Sequence, residues 1–98
     1  MQFTANEMYM LLNLHPSDRP LWLANADLSG ADLALAPLAG ANLSAACLRG
    51  ATLINANLRE ASLRAADLTG ASAFGIELSR ADLSSANLTD ADLSVVED

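Results

Sequence analysis

The chain has 98 residues, enough for one domain. Apolar residues reach 52% but aromatic ones only 4%, so the apolar content is mostly Ala and Leu and implies a repetitive core of two side-chain sizes. The formal net charge of −7 excludes a non-specific nucleic-acid binder, which needs a basic face. The one cysteine, Cys47, excludes an intramolecular disulfide and a cysteine-rich metal site.

The N-terminal residues 1–20 form a capping segment distinct from the rest of the chain. Phe3-Thr4-Ala5-Asn6-Glu7-Met8 reads as a hydrophobic staple with a capping box: Thr4 is the N-cap, Glu7 reaches back to it, and Phe3 packs on Met8. Met8, Leu11 and Leu12 make one apolar helical face. His15-Pro16 ends the helix, and the turn through Pro20 leads into the next segment. The helix is expected to lie over the end of the core as a cap, as solenoids require. His15, the one histidine, reads as a loop residue. No basic n-region precedes Glu7, so no secretory signal is expected and the setting is taken as cytoplasmic. Mean hydropathy is +0.25. The longest uncharged apolar run, Leu33 to Ala39, is nevertheless broken by Pro37 and far short of the roughly 20 residues of a spanning helix, so no membrane contact is expected.

Residues 21–98 are a tandem array. After an imperfect unit at Leu21-Trp22-Leu23-Ala24-Asn25, the chain reads ADLSG ADLAL APLAG ANLSA ACLRG ATLIN ANLRE ASLRA ADLTG ASAFG IELSR ADLSS ANLTD ADLSV, ending at Val95. With the central residue called i, Leu holds i in every unit except at Ala73, and Ala holds i−2 in every unit except at Ile76. A period of five is not helical: five steps on an α-helix overshoot a full circle by about 140°, which would scatter the leucines. Positions i−2 and i lie on one face of an extended segment. The next Ala comes three residues after Leu, so the chain must turn a corner between units to keep both inside. All five glycines fall at i+2, where a corner favours positive φ.

These A[D/N]LXX units resemble the pentapeptide repeat family, abundant in bacteria and especially cyanobacteria. The resemblance covers about three-quarters of the chain and implies an all-β solenoid: a right-handed quadrilateral β-helix with four repeats per coil, here with a short N-terminal capping α-helix. Residues twenty apart then stack, about 4.8 Å from one coil to the next. In the columns so formed at i−1, such as Asp27-Cys47-Asp67-Asn87 and Asp32-Thr52-Ser72-Asp92, no two carboxylates are adjacent. That spacing does not converge ligands on a metal, and the side chains are expected to bond to the local backbone. Glu60 and Arg80 stack at one corner as an exposed ion pair. Arg49, Arg59 and Arg64 fall on different sides and make a belt, not a basic patch.

One irregularity interrupts the core at Ser72-Ala73-Phe74-Gly75-Ile76. Ile76 is read as filling part of the gap left by Ala73, and Phe74 as packing on Ile54; a bulge at Gly75 is the alternative.

Two candidate interfaces emerge. Leu78, Leu83, Leu88 and Leu93 form the last layer, followed by Val95 and Val96 and no capping segment, so that end is expected to meet a second copy or another repeat protein. Leu35, Ile54, Phe74 and Val95 project from one side where polar residues are usual. With no phosphate loop, no histidine dyad and no cofactor motif, the expected function is a non-catalytic structural or protein-interaction module. The alternative, implied by the resemblance because some family members are acidic rods occupying the DNA site of gyrase, is a DNA-mimicking gyrase inhibitor acting as an end-to-end dimer.

Overall fold

A computed structural model describes residues 21–94. The predicted N-terminal helix, His15, Val95 and Val96 lie outside the described residues.

Every inter-coil bridge joins residues twenty apart in parallel, from Trp22–Asn42 to Ser72–Asp92. A five-residue unit with a twenty-residue register gives four sides per coil. We number them by their central residues. Side 1 holds Leu23, Leu43, Leu63 and Leu83; side 2 holds Leu28, Leu48, Leu68 and Leu88. Side 3 holds Leu33, Leu53, Ala73 and Leu93; side 4 holds Leu38, Leu58 and Leu78.

Each side is a minimal strand. The residue at i−1 points both its N–H and its C=O toward the preceding coil. Asn42 N–H donates to Leu21 O at 2.8 Å, and Asn42 O accepts from Leu23 N–H at 2.7 Å. The same pair of bonds repeats down the solenoid, so each coil satisfies the backbone of its neighbour.

Each corner is a β-turn closed from i to the next i−2, as in Ala26 N–H to Leu23 O at 3.1 Å. Its third residue has positive φ, the pattern of a type II turn. The five glycines adopt it, and so do nine other residues, including Asn25, Leu35, Glu60 and Arg80 at φ 57–63° with their neighbours. The ladder overrides residue preference here: Leu35 holds φ 62° while its N–H donates to Ile54 O at 2.9 Å.

The core is the interior of the coil. Ten leucines, from Leu23 to Leu68, are almost wholly buried, with the i−2 alanines beside them. Burial of each such side chain contributes on the order of 1.5–3 kcal/mol. Ala73 and Ile76 belong to the same buried cluster. The ladder runs unbroken through this site, with Thr52–Ser72 and Asn57–Glu77 bridges and Gly75 N–H bound to Ser94 O at 2.8 Å. The bulge alternative at Gly75 is thus not adopted.

Candidate interface

The polar surface is built by a local rule. At each of the eight i−1 positions occupied by Asp or Asn, the side-chain Oδ1 accepts the N–H two residues on, as Asp27 does from Ser29 at 3.1 Å and Asn57 from Arg59 at 3.1 Å. This Asx turn closes the corner from outside. The hydroxyls of Ser29, Thr69, Ser84, Thr89 and Ser94 at i+1 add a second bond to the same oxygen, as from Thr69 to Asp67 at 2.5 Å, whereas that of Ser44 turns to Ser62. The hydroxyls of Ser29, Thr69, Ser84 and Ser94, and then the backbone N–H of the same residues, hold the carboxyls of Asp27, Asp67, Asp82 and Asp92 below the usual value; partial desolvation opposes this.

A second rule links neighbouring coils: the side chain at i+1 meets the one at i−1 eighteen residues on. Arg49 pairs with Asp67 at 3.1 Å and Arg64 with Asp82 at 3.9 Å. Ser44 Oγ lies 2.9 Å from Ser62 Oγ, and Ser29 Oγ lies 3.0 Å from Cys47 Sγ. The twenty-residue columns read from the sequence do not reveal these contacts. They do give Glu60–Arg80, observed at 3.8 Å. All three pairs are exposed, worth at most about 1 kcal/mol each. Among the described residues, no three of His, Cys, Asp and Glu converge on a point that could hold a metal ion.

The candidate interface residues fall in two places. Leu78, Leu83, Leu88 and Leu93 form one layer and are only partly buried, in contrast to the leucines of the coils before them. Around this layer the backbone edge is open among the described residues. The N–H groups of Leu78, Leu83, Leu88 and Leu93, and the C=O groups of Ile76, Ala81, Ala86 and Ala91, have no partner among the described residues. Glu77, Asp82, Asp90 and Asp92 rim the edge, against Arg80 alone.

Leu35, Ile54 and Phe74 lie together on side 3. Among the described residues they are three of the four exposed large apolar side chains. The fourth, Trp22 on side 1, is 72% exposed and was not singled out from the sequence; its signal was an aromatic residue at i−1, where Asp or Asn is usual.

The coils, corners and Asx turns define a quadrilateral β-helix of five-residue repeats. The family description "Pentapeptide repeats" matches in 8 copies across residues 23–53, 36–72 and 61–94, and the chain belongs to the pentapeptide repeat family. Proteins of this family are right-handed quadrilateral β-helices. The chain is similar to a pentapeptide repeat protein of the Arabidopsis thaliana thylakoid lumen, at 35% identity and a TM-score of 0.54, over 74% of this chain and 46% of that one. It is also similar to Rfr23 of the cyanobacterium Cyanothece 51142, at 30% identity and a TM-score of 0.45, over 82% of this chain and 66% of that one. A third relative is HetL of Nostoc sp. strain PCC 7120, involved in heterocyst differentiation regulation. It shows 34% identity and a TM-score of 0.43, over 76% of this chain and 45% of that one. The chain therefore spans about half the length of the first of these relatives and of HetL. No curated protein matches it significantly. Among the described residues no helix is long and apolar enough to cross a membrane.

Proposed function

We propose that the chain is a non-catalytic protein-interaction module that docks end-on through the edge of its last coil, with a second copy of itself as the partner. The observation that carries this is the geometry of the unpaired edge. Sides 1, 2 and 3 each present a C=O at i−2 and an N–H at i, flanking a residue whose own groups point back into the coil, and the N–H groups of Ser85 and Asp90 at i+2 add further donors among the described residues. Under a two-fold rotation the C=O of one strand faces the N–H of the other, and the reverse, which is the wide ring of an antiparallel pair. In these paired C=O and N–H groups the edge is self-complementary, as an isologous dimer requires. Pairing it would also cover Leu78, Leu83, Leu88 and Leu93.

The carboxylates support a non-catalytic reading because they serve the corners: each aspartate at i−1 is committed to the N–H two residues on. A lone cysteine suits a reducing compartment, and the proposal includes a cytoplasmic setting. The gyrase-inhibitor alternative has less support. A DNA mimic needs bare rows of negative charge, whereas Asp67, Asp82 and Glu60 are matched to Arg49, Arg64 and Arg80.

Light scattering on a sizing column across a concentration series tests the proposal. A dimer that dissociates in Leu93→Asp and Leu83→Asp is expected. Its acidic rims repel, so salt should tighten it. A strict monomer at every concentration and salt would overturn it. Gyrase supercoiling unaffected by excess protein is the companion result expected.

A further inference from the structure

Side 3 differs from the other sides in its middle two coils. Ala51-Thr52-Leu53-Ile54-Asn55 and Ala71-Ser72-Ala73-Phe74-Gly75 carry no charge. Over the same coils sides 2 and 4 are bridged by Arg49–Asp67 and Arg80–Glu60, and side 1 is bridged between its third and fourth coils by Arg64–Asp82. The column at i+1 of side 3 runs Ala34, Ile54, Phe74, and Leu35 stands at the corner beside Ala34. Leu35 is 74% exposed, Phe74 40% and Ile54 36%. Asp32 and Asp92 close the strip at its two ends, each exposed and neither ion-paired among the described residues.

From this arrangement we infer that side 3 is a docking strip for a basic amphipathic helix of a partner protein. The inference goes beyond the end-on contact and shares only Asp92 with it. Three features select this occupant. First, the backbone of side 3 is paired from coil to coil, as in Leu53 N–H to Ser72 O and Asn55 N–H to Phe74 O. A partner cannot add a strand there and must bind through side chains, as a helix does. Second, the coil rise of about 4.8 Å comes close to the helical pitch of ~5.4 Å. Apolar residues at successive turns of a helix lying along the solenoid axis can therefore meet Ala34, Ile54 and Phe74 in sequence. Third, Asp32 and Asp92 lie three coils apart, about 14 Å. Lysines or arginines spaced about ten residues apart on the helix reach both, at ~1.5 Å per residue. A second copy is the wrong occupant: packing side 3 on side 3 sets these carboxylates against one another in either orientation.

The test titrates the 98-residue chain with a synthetic helical peptide. It carries apolar residues at i, i+4 and i+7 and a lysine at each end of that stripe. Saturable binding is expected, with backbone NMR shifts concentrated at residues 52–55 and 72–75. Ile54→Ser and Phe74→Ser should each weaken it about tenfold or more, as loss of a central anchor does, with the melting temperature near that of the parent. Asp32→Asn with Asp92→Asn should lower the salt dependence. Trp22→Ser should leave the affinity unchanged. Failure to bind would overturn the inference. So would equal affinity for the Phe74→Ser and parent chains, or shifts spread over all four sides, since these mean diffuse charge attraction. The Ile54 and Phe74 variants leave the end-on contact untouched, because only Asp92 belongs to both surfaces.

Discussion

Ala73 and Ile76 are the two departures from the Leu and Ala rule, and they sit at the two ends of one corner, with Ile76 N–H bound to Ala73 O at 3.1 Å. Both are buried, at 0% and 8% exposure. If Ile76 occupies the volume that Leu vacates at position 73, the pair is a compensated swap. Ile76→Ala then opens a cavity and should cost about 2–5 kcal/mol. Ala73→Leu overpacks the coil and should cost about 1–3 kcal/mol. The double variant restores the repeat pattern with volume conserved and should lie within about 1.5 kcal/mol of the parent. The coupling energy is then at least about 1.5 kcal/mol and favours the double variant. Urea denaturation followed by circular dichroism gives all four stabilities. Additive losses in the double variant would refute the argument that these side chains share one space.

Other consequences arise from the corners and the core. Leu58 is fully buried in an interior coil, so Leu58→Ala should cost about 2–5 kcal/mol; an unchanged thermal melt would contradict its placement. Leu35→Asn should stabilise by roughly 0.5 kcal/mol, because an exposed Leu at φ 62° gives way to a residue that tolerates positive φ; a lower melting temperature would count against this. A Cβ on Gly75 would collide with Asn55 Oδ1, whereas one on Gly50 meets nothing within 4 Å. Gly75→Ala should thus cost more than Gly50→Ala, and Asn55→Gly should remove the difference. The folded-state pKa values of Asp27, Asp67, Asp82 and Asp92 are lowered. Their stabilisation is complete well above the ordinary value of 3.8 and is lost as pH falls through it toward the depressed folded-state values. Thr69→Ala should raise the Asp67 titration midpoint seen by NMR; an unmoved midpoint would show that the hydroxyl is not the cause.

What the sequence made legible is what side chains report. The two-residue spacing of Ala and Leu announced the inward pair, and the glycines at i+2 announced the corners. The four-fold coil was not in that periodicity; it came with the family resemblance, and the twenty-residue bridges bear it out. Glycine also understated the corner geometry. Leu35 and Arg80 adopt the same positive φ because inter-coil hydrogen bonds outweigh a local preference. The Glu60–Arg80 pair was readable because it lies within one column. Arg49–Asp67 and Arg64–Asp82 were not, because a side chain at i+1 slants to i−1 of the next coil. The apolar strip on side 3 was visible in Leu35, Ile54 and Phe74. The self-complementarity of the last edge was hidden, since it depends on which way each N–H and C=O points.

Amide hydrogen exchange at low and high protein concentration tests the end-on contact most directly. The account predicts that the amides of Leu83, Leu88 and Leu93 exchange fast when dilute and gain protection as concentration rises. Those of Leu43 and Leu48, already bound to Ser62 O and Asp67 O, should not change. Fast exchange at the edge at every concentration would contradict the account.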